Sequence, residues 1–200
     1  MATITWPSTR LFIPQRFELA LRSNVVISTS PLNGSIQTVE IPGARWVGSM
    51  VLTPCKQPDQ AAREALLTQI AGQANRVALW HFARPVPRGT MRGNPTLSAT
   101  AAAGATSMAV STTAGATALA GDMFSVGSQL VQCVTDAAAD GAGAMTMSIR
   151  PALRAQVASA TAVVWDKPTA AFILTSPEVR VGYRPAVGEE IALDFMEVFA

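Results

Sequence analysis

Residues 11–22 read Leu-Phe-Ile-Pro-Gln-Arg-Phe-Glu-Leu-Ala-Leu-Arg, and their spacing decides the fold. Ile13, Gln15, Phe17, Leu19 and Leu21 fall on one side of an extended chain, and Arg16, Glu18, Ala20 and Arg22 on the other. Successive side chains of a strand point to opposite faces, so this period of two marks a half-buried strand. Pro14 has no N–H to give to a ladder, which puts the start of the strand on a sheet edge. Further along, Trp46, Gly48, Met50 and Leu52 alternate with Arg45, Val47, Ser49 and Val51 in the same way. Between these two strands, Val25–Ser28 and Ile36–Ile41 read as strands around the loop Ser30-Pro31-Leu32-Asn33-Gly34, whose Asn-Gly step favours positive φ. Val77–Phe82 reads as another strand.

One helix is expected, from Pro58 to Asn75. Pro58 suits a first turn, where a missing N–H costs nothing, and Asp59 and Glu64 suit the positive end of the helix dipole. Ala62, Leu66, Ile70 and Ala74 form its apolar stripe, widened by Leu67 and Ala71, with Arg63, Gln69 and Gln73 on the polar side. The loop from Ala83 to Pro95, rich in Pro, Arg and Gly, marks a boundary.

Charge divides the chain. Its 200 residues carry 15 Lys+Arg and 13 Asp+Glu, a net of +2, and 49% are hydrophobic. That is apolar enough to bury a core and too apolar for a disordered chain. No apolar run is long enough to span a membrane, and no basic start with an apolar core suggests a signal peptide. A near-neutral balance without a basic stripe disfavours nucleic-acid binding. Residues 1–92 have a net charge of +6 and residues 150–200 a net of −1, while residues 93–149 contain no Lys, Arg or Glu.

The middle stretch therefore reads as a separate module. Short runs at 96–100, 106–112, 123–126, 129–135 and 145–149 are punctuated by Gly127-Ser128 and by Asp140-Gly141-Ala142-Gly143. Evenly spaced short strands with glycine turns suggest a small β-barrel or sandwich. Residues 161–165 and 170–175 read as strands, and Ile191–Val198 closes the chain as a strand that is apolar on both faces. Such a strand is covered on both sides, by its own core or by a neighbouring subunit. The fold class is mainly β: residues 1–92 with 160–200 form a β-sandwich flanked by the helix 58–75, and residues 93–159 form an inserted small β-barrel.

The chemistry of catalysis is thin. His81 is the one histidine, and no nucleophile motif accompanies it, so the bland reading is a strand histidine at a domain junction. Cys55 and Cys133 are far apart in sequence and read as free thiols of a reducing compartment, and they lack metal-ligand spacing. Asp136 and Asp140 fail the calcium-loop pattern because Ala138 and Met147 stand where oxygen ligands are needed. Glu189 and Glu190, adjacent on an extended chain, point apart. No enzyme, cofactor or metal is expected.

The stretch Ser30–Trp46, the helical segment 58–75, the run Ala78-Leu79-Trp80-His81 and the loop Arg84–Gly89 together resemble a family of tail-tip proteins of long-tailed bacteriophages. Gly121-Asp122, Gly141–Gly143 and Ile149–Arg154 are similar to it too, so the resemblance covers most of the chain. It implies a distal-tail or minor tail protein: a tail-tube-like β-sandwich with a helix and an inserted β domain, assembling as a homo-oligomeric ring of about six copies. The implied partners are the tail tube protein and the baseplate hub or tip protein, with tape-measure or receptor-binding proteins as further neighbours. The implied location is the virion, assembled in the host bacterial cytoplasm. Expected interface residues are Leu32 and Asn33 in the first loop, Arg84, Arg88 and Arg92 in the second, and Phe195 and Phe199 on the last strand. The alternative is a module that docks a host surface or receptor-binding protein through the inserted β domain. Few aromatics occur there, so docking is favoured over sugar stacking.

Overall fold

A computed structural model describes residues 1–199. The first part of the chain forms β1 (Thr3–Thr5), β2 (Arg16–Arg22), β3 (Val25–Thr29), β4 (Ile36–Glu40), β5 (Arg45–Leu52), β6 (Cys55–Lys56), α1 (Gln57–Ile70) and β7 (Arg76–Trp80). The middle forms β8 (Thr96–Leu97), β9 (Ser107–Ser111), β10 (Thr117–Ala118), β11 (Met123–Val126), β12 (Gln129–Cys133), β13 (Ala137–Ala138), β14 (Ala144–Arg150) and β15 (Val163–Val164). The chain ends with β16 (Thr169–Leu174), β17 (Tyr183–Arg184), β18 (Val187–Gly188) and β19 (Ile191–Glu197). The protein is mainly β with a single α-helix among the described residues, a sandwich-and-barrel architecture.

The first sheet has the order β1-β7-β16-β19-β5-β2 and is antiparallel except where β1 runs parallel to β7. Its period-two strands behave as their sequences demand. In β2, Phe17, Leu19 and Leu21 turn to the core while Arg16, Glu18, Ala20 and Arg22 are exposed. In β5, Trp46, Met50 and Leu52 are buried. In β19, Ile191, Leu193 and Phe195 are buried while Ala192 and Asp194 are exposed. The last strand is thus covered on one face by its own core, and the other face lies open.

The helix is shorter than its sequence suggests and turned differently. It ends at Ile70 rather than Asn75, because Ala71 adopts a left-handed conformation (φ 52°) with its N–H on the carbonyls of Leu67 and Thr68, and Gly72 follows at φ 61°. A Cβ on Gly72 would also lie 2.4 Å from the Pro177 carbonyl oxygen. The buried stripe is Gln60, Arg63, Leu67 and Ile70, while Ala62 and Ala74 are exposed. Arg63, expected on the polar side, is buried because its guanidinium donates to the Leu11 and Thr53 carbonyls.

The second sheet has the order β15-β11-β12-β14-β9-β8. Its ends meet, since the Val163 N–H donates to the Pro95 carbonyl and the Leu97 N–H to the Thr161 carbonyl, both at 2.9 Å. The sheet so closes into a small barrel around Met91, Phe124, Val131, Met147 and Ile149. Gly127 and Ser128 turn β11 into β12 with positive φ at both positions (54° and 64°), the two-residue hairpin geometry that matches strand twist. Asp140 caps its turn by accepting from the Ala142 and Ala144 N–H groups. β15 completes the barrel, so the chain rejoins the first sheet at Thr169 and not at residue 160.

Candidate functional site

The hairpin β3–β4 stands away from both sheets. Its strands pair from Val25↔Glu40 to Thr29↔Ile36, and all ten strand residues are exposed. The turn is held locally: the Ser30 N–H donates to the Ser35 carbonyl, the Ser35 N–H to Asn33 Oδ1 at 3.0 Å, and Gly34 supplies a φ of 69°. Leu32 at the tip is 95% exposed, and Val26, Ile27, Ile36 and Val39 project from the ribbon. From Asn24 to Val39 no residue is charged. One ion pair, Glu40 with Arg150 at 2.9 Å, ties the ribbon's base to the barrel. An isolated two-stranded ribbon is marginal in water, and this one shows apolar side chains on both faces, the composition of a surface that is covered in use.

Beside the hairpin lies the open face of the first sheet. Registers across three strands align Glu18, Ser49 and Asp194 in one row and Ala20, Val47 and Met196 in the next. These residues line a shallow trough of about 460 Å³. β2 and β1 end the sheet, so each leaves one ladder edge unpaired.

The expected interface residues divide in two. Leu32 and Asn33 occupy the exposed tip, and Phe199 is partly exposed, with the Arg45 and Arg154 guanidinium groups 4.6 and 4.1 Å from its ring centroid. Phe195 is 1% exposed and meets Phe172 edge to face in the core, so it offers no side chain to a partner. The arginines of the second loop are tied to carbonyls of the fold, with the Arg88 side chain still exposed. Arg84 donates to the Gly121 carbonyl at 2.7 Å, Arg88 to the Ala120 carbonyl at 2.6 Å, and Arg92 to the Pro87, Gly89 and Met91 carbonyls. Arg92 also packs over Trp165, 4.9 Å from its ring centroid. Arg84 and Arg88 fasten the loop to the barrel and Arg92 braces the loop on itself, roles that sequence could not show because the acceptors are mostly backbone carbonyls.

Asp122 and His81 complete this junction. The buried Asp122 carboxylate accepts from the Arg88, Gly89 and Leu119 N–H groups at 2.8–3.0 Å. His81 is buried, with the Arg84 N–H 3.1 Å from Nδ1 and the Arg84 guanidinium 3.1 Å from Nε2. Burial first, and the Arg84 charge second, hold its pKa down at about 4. The Cys55 thiol donates to Gln60 Oε1 at 3.2 Å, and both cysteines are free thiols. No cluster of three or more His, Cys, Asp or Glu side chains is placed to hold a metal ion among the described residues. Among the described residues no helix is long and apolar enough to cross a membrane. Comparison with family models and with curated proteins gives no match.

Proposed function

We propose that this protein is a structural component of a bacteriophage tail tip, a distal-tail or minor tail protein whose copies close into a ring between tail tube and baseplate hub. The observation that carries the reading is the β3–β4 ribbon, exposed along its length and uncharged from Val25 to Val39, with Ile27, Leu32 and Ile36 projecting from it. A monomer has no use for such an arm, whereas a ring subunit can lay it on the next copy. The open sheet face and the free edge of β2 supply surfaces of the kind that head-to-tail subunits bury. On this reading the protein performs no reaction, and its mechanism is geometry. The resemblance in residues 30–46 and 84–89 supplies the identity of the assembly, and the ribbon supplies the reason to expect one.

The test is light scattering after size exclusion, with negative-stain imaging of the peak, on the full chain at high concentration. A closed ring with a central hole is expected. The double variant Ile27→Ser/Ile36→Ser should keep the melting temperature and lose the ring, because exposed ribbon positions contribute within about 0.5 kcal/mol to folding. A wild-type chain that stays monomeric at every concentration, or a variant that assembles as well as wild type, overturns the reading.

A further inference from the structure

At the base of the ribbon, Arg22 ends β2 directly opposite Arg45, which begins β5. Like charges placed directly across two strands repel, so an unrelieved pair is unfavourable. Among the described residues neither arginine forms an ion pair within the chain. The Glu197 carboxylate, on the neighbouring strand β19, is already committed to Arg154, with Arg154 Nη1 at 2.8 Å and Nη2 at 2.5 Å. Arg45 is half-buried and packed over Phe199, so its fork is held in place, and its one contact through Nη1 is the Met196 sulfur at 3.7 Å. The two arginines line a notch of about 400 Å³ together with Ser23, Asn24, Gly43 and Phe199, and among the described residues no Asp or Glu side chain lines it.

We propose that this notch binds a carboxylate presented by a protein partner, gripped between the Arg22 and Arg45 forks. Guanidinium groups recognise carboxylates bidentately, and a fork already oriented by an aromatic ring loses less freedom on binding. The surroundings select a protein over a nucleic acid. Glu18 and Asp194 line the trough that adjoins the notch at Arg22 and Met196, and they repel a polyanion while leaving room for a single carboxylate. The apolar ribbon springs from the same place, so arginine anchor and apolar arm form one continuous contact surface of the composition typical of interface centres.

Calorimetric titration of the full chain with malonate, at constant ionic strength set by sodium chloride, tests the proposal. Saturable binding is expected, weakened at least about tenfold by Arg22→Gln and by Arg45→Gln. Arg45→Lys should not restore it, since the charge remains but the fork is lost. Arg22 is exposed, so Arg22→Gln keeps the fold and stays informative if the Arg45 variants are destabilised. An absent saturable signal, or equal affinity in wild type and Arg22→Gln, overturns the proposal. A parallel titration with single-stranded oligothymidylate supplies the rival. Binding that falls steeply with salt and vanishes in the same variants would assign the notch to backbone phosphates and overturn the carboxylate assignment. The titration is repeated on the full-length Ile27→Ser/Ile36→Ser chain, whose notch no neighbouring copy covers, so malonate binding fails independently of the ring, which light scattering reads.

Discussion

Glu197 ends the last strand facing inward, where its carboxylate accepts from the Trp46 N–H at 3.0 Å and from both terminal nitrogens of Arg154. A buried charge is tolerated when every lone pair is met, and removing one partner leaves the other exposed to the full cost of burial. Arg154 is partly solvent-exposed, so Glu197→Gln should cost about 2–3 kcal/mol, less than a fully buried pair. Urea unfolding measures it, and a loss below about 0.5 kcal/mol would show that the charge is not needed. His81 makes the opposite arrangement: it is buried, with the Arg84 N–H and the Arg84 guanidinium at its two ring nitrogens, and both burial and that charge disfavour the imidazolium. Its folded pKa of about 4 lies below the ordinary 6.5, so the unfolded chain binds more protons between these values. The stability that neutral His81 permits is complete above pH 6.5 and is lost as pH falls towards 4. His81→Asn should flatten that slope, and an unchanged slope would mean that other groups set it. None of this was legible in sequence, because Glu197 and Trp46 stand 151 positions apart and nothing local pairs them.

At the scale of elements, strands were far more legible than the helix. A strand with one wet face repeats every two residues, and β2 follows its pattern from Arg16 on and β5 at Trp46, Met50 and Leu52. Ile13, expected on the buried face, instead precedes the strand and is 48% exposed, because a 3-10 turn at Arg10–Phe12 delays the strand's start. The helix pattern misled because alanine is at home on either face, so Ala62 and Ala74 carried no orientation. The true stripe holds two polar residues, Gln60 and Arg63, which dock α1 by hydrogen bonds instead of apolar contact. Arg63→Met should therefore destabilise the protein by about 3 kcal/mol although it adds an apolar side chain, since the Leu11 and Thr53 carbonyls lose their donor. A thermal shift of the opposite sign would show that packing governs the helix. The ribbon β3–β4 was legible as two strands, but not its exposure: valine and isoleucine there look like core residues until the sheet is seen to continue without them.

For the whole molecule, the charge-poor middle announced a second body, and its interior clusters apart from that of the first sheet. What composition could not announce is how tightly the two are joined. Met123 and Leu130 of the barrel pack into the core of the first sheet, and the Trp46 indole N–H donates to the Leu130 carbonyl at 2.9 Å. Ser125 donates to the Thr169 carbonyl, while Asp122 and Arg84 pin the connecting loop to the barrel's rim. If either body opened alone it would strand these buried donors and carboxylates in water-poor surroundings, and would strip apolar cover from the other. The two should therefore melt together. Scanning calorimetry of the full chain is expected to show one transition whose calorimetric and van't Hoff enthalpies agree. Asp122→Ala, which leaves three backbone N–H groups without their acceptor, should lower that single transition and not split it. Two resolved transitions in the wild-type chain would show that the barrel is an independent unit hung on the sheet, and that the shared core residues do not couple them.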